Sequence, residues 1–112
     1  MSRQSLKRGE IWWVRLDPTQ GSEIKKTRPC VILTHDTLNQ LRKTVVVIPL
    51  SSAAQAHPPV SIAVQAGGKT ATAVIDQIRA VAKHRLESKI GNMQPEALDL
   101  IAEALNRILL LK

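Results

Sequence analysis

Residues 9–29, GEIWWVRLDPTQGSEIKKTRP, contain the features that decide the fold of this chain. The first part, residues 10–16, is rich in Trp, Val and Leu, which favour a pleated strand. Asp17-Pro18 then begins a turn. The loop that follows extends to Arg28, which is long for a compact domain and typical of functional loops. Since Pro29 opens another apolar segment, the sequence predicts two strands joined by a long basic loop.

Trp12 and Trp13 are adjacent in the first predicted strand, so their side chains must point to opposite faces. One of them can enter the core, and the other lies outside it. An outer Trp beside basic residues could stack on a nucleobase. It could equally pack against the N-terminal arm or a second subunit, and the sequence leaves these alternatives open.

The rest of the chain predicts further short strands and a terminal helix. We expect strands at 29–34, 43–50, 60–64, 71–75 and 77–81, a short helical turn or irregular connection at 35–41, a helical turn at 83–89 and a turn at 91–94. The strand at 43–50 should be central, because its run of Val and Ile does not alternate with polar residues. Pro95 suits the first position of a helix whose apolar stripe includes Leu98, Ile101 and Leu105.

These elements predict an α+β fold that is mainly β, a small antiparallel β-barrel covered by the C-terminal helix. At 112 residues the chain should form a single domain over 1–112, with residues 1–8 as a flexible basic arm. The helix ends in consecutive leucines, which could pack on the sheet or on a second subunit.

The chain is strongly basic, with 16 Lys and Arg against 9 Asp and Glu and a net charge of +7. The surplus lies in residues 1–89 and suggests a polyanionic partner, although solvation charge on a globular protein is the alternative. No apolar run reaches the roughly 20 residues that span a bilayer, and no signal peptide is visible, so we expect a cytosolic protein without membrane contact. The one cysteine, Cys30, cannot form an intrachain disulfide and should be buried, with a nucleophilic thiol as the less favoured interpretation.

Several kinds of chemistry lack their motifs in this sequence. His35, His57 and His84 are scattered and Cys30 has no companion at ligand spacing, so no metal or cofactor is expected. Gly67-Gly68-Lys69 lacks the first glycine of a phosphate loop and is read as a hairpin turn. No serine lies in a G-x-S-x-G elbow.

The remaining candidates fit cleavage of RNA without a metal. That reaction needs a base for the ribose 2′-hydroxyl, a positive group beside the phosphate and a donor for the leaving 5′ oxygen. Arg28 suits the phosphate and is a poor base, so Glu23 is the better base if it faces the site. Ser51 could donate a hydrogen bond to a phosphate oxygen. Alternatively, Arg28 is a salt-bridged loop residue and Ser51 makes a local turn bond.

The order of these motifs resembles the MazF/PemK family of toxins. The similar segments are Arg8-Gly9-Glu10-Ile11-Trp12-Trp13-Val14, Leu16-Asp17-Pro18-Thr19, Gly21-Ser22-Glu23, Thr27-Arg28-Pro29, Val47-Ile48-Pro49-Leu50-Ser51-Ser52, Val74-Ile75-Asp76-Gln77-Ile78-Arg79 and Pro95-Glu96-Ala97-Leu98. They extend over nearly the whole chain, residues 7–111.

The resemblance implies an SH3-like barrel of the CcdB/PemK kind and the toxin of a type II toxin–antitoxin pair. It implies a homodimeric, metal-independent endoribonuclease that cuts single-stranded RNA at short sequences, leaving a 2′,3′-cyclic phosphate and a 5′-hydroxyl. It further implies an antitoxin with a disordered acidic C-terminal tail, through which alone the toxin would meet DNA.

Residue by residue, the resemblance assigns catalysis to Arg28, to Ser51 as the family's hydroxyl (usually Thr) and to Glu23 as its acidic loop residue. The expected RNA contacts are Trp13, Lys25, Lys26, Thr27, Ser52, Gln55, His57, Asp76, Gln77 and Arg79, with cleavage specificity set by residues 53–59. One departure is Val74, where some family members carry an arginine. Two other functions remain open: a CcdB-like toxin that inhibits a protein such as gyrase, and a plain RNA-binding module.

Overall fold

The strand Thr44–Ser51 is the centre of the fold, because both of its edges pair with other strands and both of its faces are buried by apolar clusters. The computed structural model describes residues 6–16 and 26–111. The elements are β1 (Glu10–Arg15), β2 (Thr27–Ile32), α1 (Asp36–Leu41), β3 (Thr44–Ser51), β4 (Ser61–Ala66), β5 (Lys69–Val74), β6 (Arg79–Ala82), β7 (Leu86–Asn92) and α2 (Pro95–Leu109). Short 3-10 turns occupy Ile75–Gln77 and Lys83–Arg85.

The strands pair antiparallel in the order β4-β5-β3-β2-β1-β7, and β6 pairs with the first half of β3. One edge of β3 therefore contacts β2, while the other contacts first β6 and then β5. The 3-10 turn between β5 and β6 accommodates the change of register along that edge. The predicted antiparallel barrel-like fold with a C-terminal helix is confirmed, although the hydrogen-bonded path through the described strands does not close.

Two apolar clusters lie on opposite sides of β3. On one side α2 places Leu98, Ile101 and Ala104 against a cluster that includes Ile48. On the other side Val47 belongs to a cluster built by β1, β2, β3, β6 and β7. Since neighbouring residues of a strand face opposite ways, both clusters bury β3, as the unbroken Val and Ile run predicts. In the described part of the chain, no helix combines the length and apolarity needed to cross a membrane.

The segment after β6 differs from the sequence prediction. The helical turn expected at 83–89 extends only over Lys83–Arg85, and Leu86–Asn92 is a strand that takes in the start of the turn expected at 91–94. The free edge of β1 explains the difference, because β7 pairs with it along most of its length. Two register shifts interrupt this pairing, and such irregularities increase the local twist of a sheet. The pairing of β7 with β1 has therefore overridden the weak preference of this segment for a helical turn.

Residues 6–8 are held in place, so the flexible arm predicted for 1–8 is wrong over its last three residues. Leu6 is 3% exposed and belongs to the cluster away from α2. The Arg8 backbone N–H donates to Asp36 Oδ1 at 2.7 Å, and Arg8 Nε donates to the Leu33 carbonyl at 3.1 Å. A single apolar side chain in a polar segment thus anchors it. Residues 1–5 lie outside the described part.

Gly9 joins three elements and cannot easily carry a side chain. Its N–H donates to the Ile32 carbonyl at 2.7 Å, and its carbonyl accepts from the Met93 N–H at 2.7 Å. Its φ is +96°, and a Cβ there would lie 3.1 Å from Leu98 Cδ1.

We expect Gly9→Ala to lower the free energy of unfolding by about 1–3 kcal/mol, because the left-handed backbone and the close Leu98 methyl both oppose a Cβ. Urea denaturation measures the change. Gly91→Ala is the matched control, since a Cβ at Gly91 would meet nothing within 4 Å. Equal effects of the two substitutions would contradict this account of Gly9.

Candidate active site

A cavity of about 560 Å³ lies where β2 begins and β3 ends. Its walls come from the first strands of the chain, from the β4–β5 hairpin and from β7. They include Trp13, Arg28, Pro29, Leu50, Ser51, Ser52, Ala53, Lys69, Thr70, Ala71 and Ile90. The cavity therefore brings together residues that are far apart in the sequence and includes three of the predicted site residues on β1, β2 and β3, with a fourth, Ser52, directly after β3.

The pairing of β2 with β3 brings the strand ends that carry Arg28 and Ser51 to the same region of the sheet. Its register pairs three residues of each strand: Cys30 with Pro49, Val31 with Ile48 and Ile32 with Val47. Continued by two residues, the same register would set Arg28 opposite Ser51. Arg28 and Ser51 thus line one cavity from neighbouring strands.

The Ser51 hydroxyl is oriented by the backbone that follows it. Ser51 Oγ accepts hydrogen bonds from the Ala53 N–H at 3.3 Å and the Ala54 N–H at 3.2 Å. A hydroxyl has two acceptor lone pairs and one O–H donor. With its oxygen used as an acceptor, Ser51 has its O–H left to donate. The local turn bond considered from the sequence does form, and it is compatible with a donor role.

Trp13 is the outer tryptophan and Trp12 the inner one. Trp13 is 41% exposed and lines the cavity. Trp12 packs against the cluster away from α2, and its Nε1 donates to Glu10 Oε1 at 2.9 Å. Glu10 Oε2 also lies 3.4 Å from Lys89 Nζ. The contact between Glu10 and Lys89 joins β1 to β7, while Trp13 lines the cavity together with Arg28.

The segment after Ser51 is fixed at two points. Thr72 Oγ1 donates to the Ala54 carbonyl at 2.8 Å, and Ser61 Oγ accepts from the His57 N–H at 2.8 Å. Gln55 and His57 are exposed on this segment, outside the cavity lining. Their predicted contacts with RNA remain predictions.

Asp76, Gln77 and Arg79 also lie outside the cavity lining. Asp76 and Gln77 belong to the 3-10 turn, where the Asp76 N–H donates to the Val60 carbonyl at 3.2 Å. Arg79 is half-buried, and its Nη1 donates to the Leu16 carbonyl at 3.4 Å. The Arg79 guanidinium thus contacts the end of β1, from which the long loop departs. Contact of these three residues with RNA remains a prediction.

Cys30 is fully buried, and burial raises the pKa of its thiol to about 12, an effect that the positive charge of Arg79 partly offsets. A thiol with so high a pKa is protonated at neutral pH, whereas nucleophilic attack requires the thiolate. Cys30 is therefore a core residue, as the sequence prediction favoured.

Lys26 and Thr27 lie at the start of β2. The Lys26 carbonyl accepts from the Leu16 N–H at 2.9 Å, and Thr27 pairs with Arg15. Neither residue lines the cavity. Glu23 and Lys25, predicted as a catalytic base and an RNA contact, lie outside the described residues.

Lys69, which no sequence motif predicts as a site residue, lines the cavity from the β4–β5 hairpin. Its only sequence signal was a basic residue after Gly67-Gly68, which was interpreted as a turn. Of the residues the structure describes around the cavity, two are cationic, Arg28 and Lys69, and none is acidic. Within residues 6–16 and 26–111, no three His, Cys, Asp or Glu side chains come together to hold a metal ion.

The fold is that of MazF proteins. A crystal structure of MazF from Deinococcus radiodurans superposes with a TM-score of 0.83 over 94% of this chain and 96% of its own, at 20% identity. A mycobacterial endoribonuclease in complex with its cognate antitoxin superposes with a TM-score of 0.79 over 96% of this chain and 97% of its own, at 21% identity.

Sequence comparison defines the family. The family model of PemK-like, MazF-like toxins of type II toxin–antitoxin systems matches residues 7–109. Endoribonuclease MazF9 of Mycobacterium tuberculosis is 34% identical, with 89% of this chain and 92% of the relative covered. Endoribonuclease EndoA of Bacillus subtilis is 30% identical, with 89% and 90% covered. This chain belongs to the PemK-like, MazF-like toxin family.

Proposed function

We propose that this toxin is a metal-independent endoribonuclease that cuts single-stranded RNA at short sequences. The observation that carries the proposal is the meeting of Arg28 and Ser51 in one cavity, beside an outward Trp13. Family membership and two relatives named as endoribonucleases, MazF9 and EndoA, support it.

The proposed reaction is an internal transesterification. The ribose 2′-oxygen attacks the adjacent phosphorus, the bond to the 5′ oxygen breaks, and the products carry a 2′,3′-cyclic phosphate and a 5′-hydroxyl. Arg28 neutralises the charge that develops on the phosphate oxygens, because its planar fork matches them and stays protonated. Ser51 donates its O–H to one non-bridging oxygen.

The proton transfers need two further groups, a base and an acid. A base must take the 2′-hydroxyl proton, and an acid must protonate the leaving 5′ oxygen. Arg28 is unsuited to the first role because a guanidinium stays protonated and cannot accept the proton. We assign the base to Glu23, on the sequence argument alone. The proposal leaves the acid unassigned.

RNA binding is proposed to extend outward from this cavity. Trp13 offers a face on which a nucleobase can stack, a contact worth about 1–3 kcal/mol per base. Ser52 lines the same cavity, and residues 53–59 follow it directly, so we propose that this segment sets the cleavage sequence. The remaining proposed contacts are Lys25, Lys26, Thr27, Gln55, His57, Asp76, Gln77 and Arg79.

The direct test is incubation of the purified protein with a long single-stranded RNA in the presence of EDTA. The proposal predicts discrete cuts at a recurring short sequence, and no cuts where the same sequence is held in a duplex. Binding without cutting would favour a plain RNA-binding module. If the protein neither binds nor cuts RNA, the result would favour a toxin directed at a protein target. It would also contradict the proposed enzyme activity.

We propose that the physiological partner is an antitoxin with a disordered acidic C-terminal tail. A mycobacterial structural relative was solved with its cognate antitoxin. The cavity of this chain, with two cations and an apolar floor, suits a segment that carries carboxylates between apolar residues. Such a tail would exclude RNA by occupying the same cavity, and DNA would be reached only through the antitoxin. We place the toxin in the bacterial cytoplasm, where mRNA is translated.

We further propose a homodimer, to which the end of α2 contributes. Leu109, Leu110 and Leu111 are 53%, 87% and 61% exposed, so these leucines do not pack on the sheet. Contiguous exposed apolar residues are typical of surfaces that a partner covers.

Leu110→Asn tests this surface without damaging the helix, because Leu110 has φ 59° and Asn tolerates that conformation well. Light scattering coupled to gel filtration should give twice the 12.3 kDa chain mass for the wild type and a lower mass for the variant at micromolar concentration. Leu41→Asn, at a 74% exposed position on α1, is the control and should stay dimeric. A monomeric wild type, or a variant as dimeric as the wild type, would contradict this assignment.

A further inference from the structure

Lys69 lies on the same face of the sheet as the apolar floor of the cavity. It begins β5 after a two-residue turn in which Gly67 has φ 61° and Gly68 has φ 83°, values that suit a tight hairpin. Ala71 and Ala73 share its face by alternation, and Ala73 pairs with Leu50 of β3. The hairpin thus presents its lysine over the same floor to which Leu50 contributes.

Lys69 is displaced from the reacting groups along the strand. Ser51 pairs with Thr72, three residues after Lys69. At about 3.3 Å per residue, Lys69 begins roughly 10 Å from the residue that faces Ser51. Its side chain is exposed, and it lines the cavity from the side of the hairpin. The Lys69 ammonium group is therefore placed to bind an anion other than the phosphate that is proposed to lie between Arg28 and Ser51.

The surroundings of Lys69 favour a phosphate. Among the described lining residues the cations are Arg28 and Lys69, and none of those residues carries a carboxylate. The rest of the lining is largely apolar and includes Trp13. Two separated cations with an aromatic face nearby suit a single strand whose phosphates are neutralised while a base stacks.

We infer that Lys69 binds a phosphate next to the cleaved bond, so that the β4–β5 hairpin is part of the RNA-binding surface. This inference rests on the proposed ribonuclease function, because it places the cleaved bond at Arg28 and Ser51. Lys69 is a binding residue in this scheme and has no part in the proton transfers.

The test is the salt dependence of binding to a random-sequence, 12-nucleotide, 2′-fluoro single-stranded RNA pool. This probe lacks the attacking hydroxyl, so it measures binding whether or not the protein cuts RNA. For Lys69→Ala we expect a Kd raised about three- to tenfold at low salt. We also expect the slope of log K against log salt to become shallower by about 0.7, the value for one phosphate contact on a single strand.

Two variants make the result specific. Lys43→Ala removes an exposed lysine next to the opposite end of β3 from Ser51, and it should change neither the Kd nor the slope. Lys69→Arg keeps the charge and should restore both. An unchanged slope in Lys69→Ala would overturn the inference, and so would an equal change in Lys43→Ala.

Cleavage assays separate this inference from the proposed function. On an RNA that the wild type cuts, Lys69→Ala should raise KM and leave kcat unchanged, because the contact is equally strong before and during reaction. A lowered kcat at unchanged KM would place Lys69 at the cleaved bond and overturn the inference. If the wild type cuts nothing, the ribonuclease proposal fails, while the binding slopes still decide whether Lys69 contacts a phosphate.

Discussion

Arg28→Ala is expected to lower kcat for RNA cleavage by about 10²–10³-fold, the usual cost of removing one group that stabilises charge in the transition state. Arg28 reaches the cavity from the start of β2, where the β2–β3 register leads toward Ser51. Charge on the phosphate oxygens grows as the 2′-oxygen attacks, so the loss should fall on kcat more than on KM. The loss of kcat is measured by single-turnover cleavage of an RNA that the wild type cuts.

Arg28→Lys separates charge from geometry. A lysine keeps the positive charge but lacks the planar fork that can donate to two phosphate oxygens at once, so we expect an intermediate rate. Arg42→Ala removes an exposed arginine at the end of α1, away from the cavity, and serves as the matched control. A wild-type rate in Arg28→Ala would remove Arg28 from the site, even if the protein proves to be a ribonuclease.

Ser51→Ala is expected to lower kcat by about 10–100-fold, the equivalent of one hydrogen bond to a charged group. Because Ser51 Oγ already accepts from the Ala53 and Ala54 N–H groups, its O–H is the part of the group left to act on RNA. Ser51→Thr keeps the donor and should retain most of the activity.

The alanine variant also removes the two bonds that shape the following segment, so a second variant is needed. Thr72→Val breaks the hydrogen bond from Thr72 Oγ1 to the Ala54 carbonyl, which holds the same segment. It leaves the Ser51 hydroxyl in place. We expect a much smaller loss of kcat in Thr72→Val than in Ser51→Ala. Equal losses in the two variants would show that Ser51 shapes the segment and does not act on the phosphate.

The sequence predicted the central elements of the fold because their patterns are strong. The unbroken Val and Ile run of β3 required burial on both faces, and the apolar stripe after Pro95 required a helix against the sheet. Strand β7 could not be predicted, since Leu86–Asn92 is mostly exposed and its partner is the edge of β1, some 75 residues earlier. The burial of Leu6 could not be predicted for a related reason, because a single apolar residue in a polar segment shows no periodicity.

The candidate site likewise contains residues that the sequence predicts and residues that it does not. Arg28, Ser51 and Trp13 were predictable because each lies in or next to a predicted strand and fits a recognisable chemical role. Their convergence depended on the β2–β3 register, which no single stretch of sequence encodes. Lys69 was missed because a lysine after a Gly-Gly turn resembles any exposed hairpin residue. Its position over the cavity follows only from the pairing of β5 with β3.

Arg79 differs from Lys69, because it was predicted as a site residue and the structure shows it in a contact outside the cavity. Arg79 was predicted to contact RNA, but its guanidinium donates to the Leu16 carbonyl, while Arg85 Nη1 donates to the Arg15 carbonyl at 3.0 Å. Two arginines therefore hold the end of β1, beside the departure of the long loop. Whether Arg79 also contacts RNA is a separate prediction, which the sequence motif alone supports.

The chemical ends of the cleavage products test the central claim most directly. We predict that the wild type, in excess EDTA, cuts single-stranded RNA to leave a 5′-hydroxyl that polynucleotide kinase phosphorylates without prior phosphatase treatment. The 3′ end should carry a cyclic phosphate that blocks ligation until acid opens it and phosphatase removes the phosphate. A 5′-phosphate with a free 3′-hydroxyl, or cleavage abolished by EDTA, would contradict attack by the 2′-oxygen at Arg28 and Ser51.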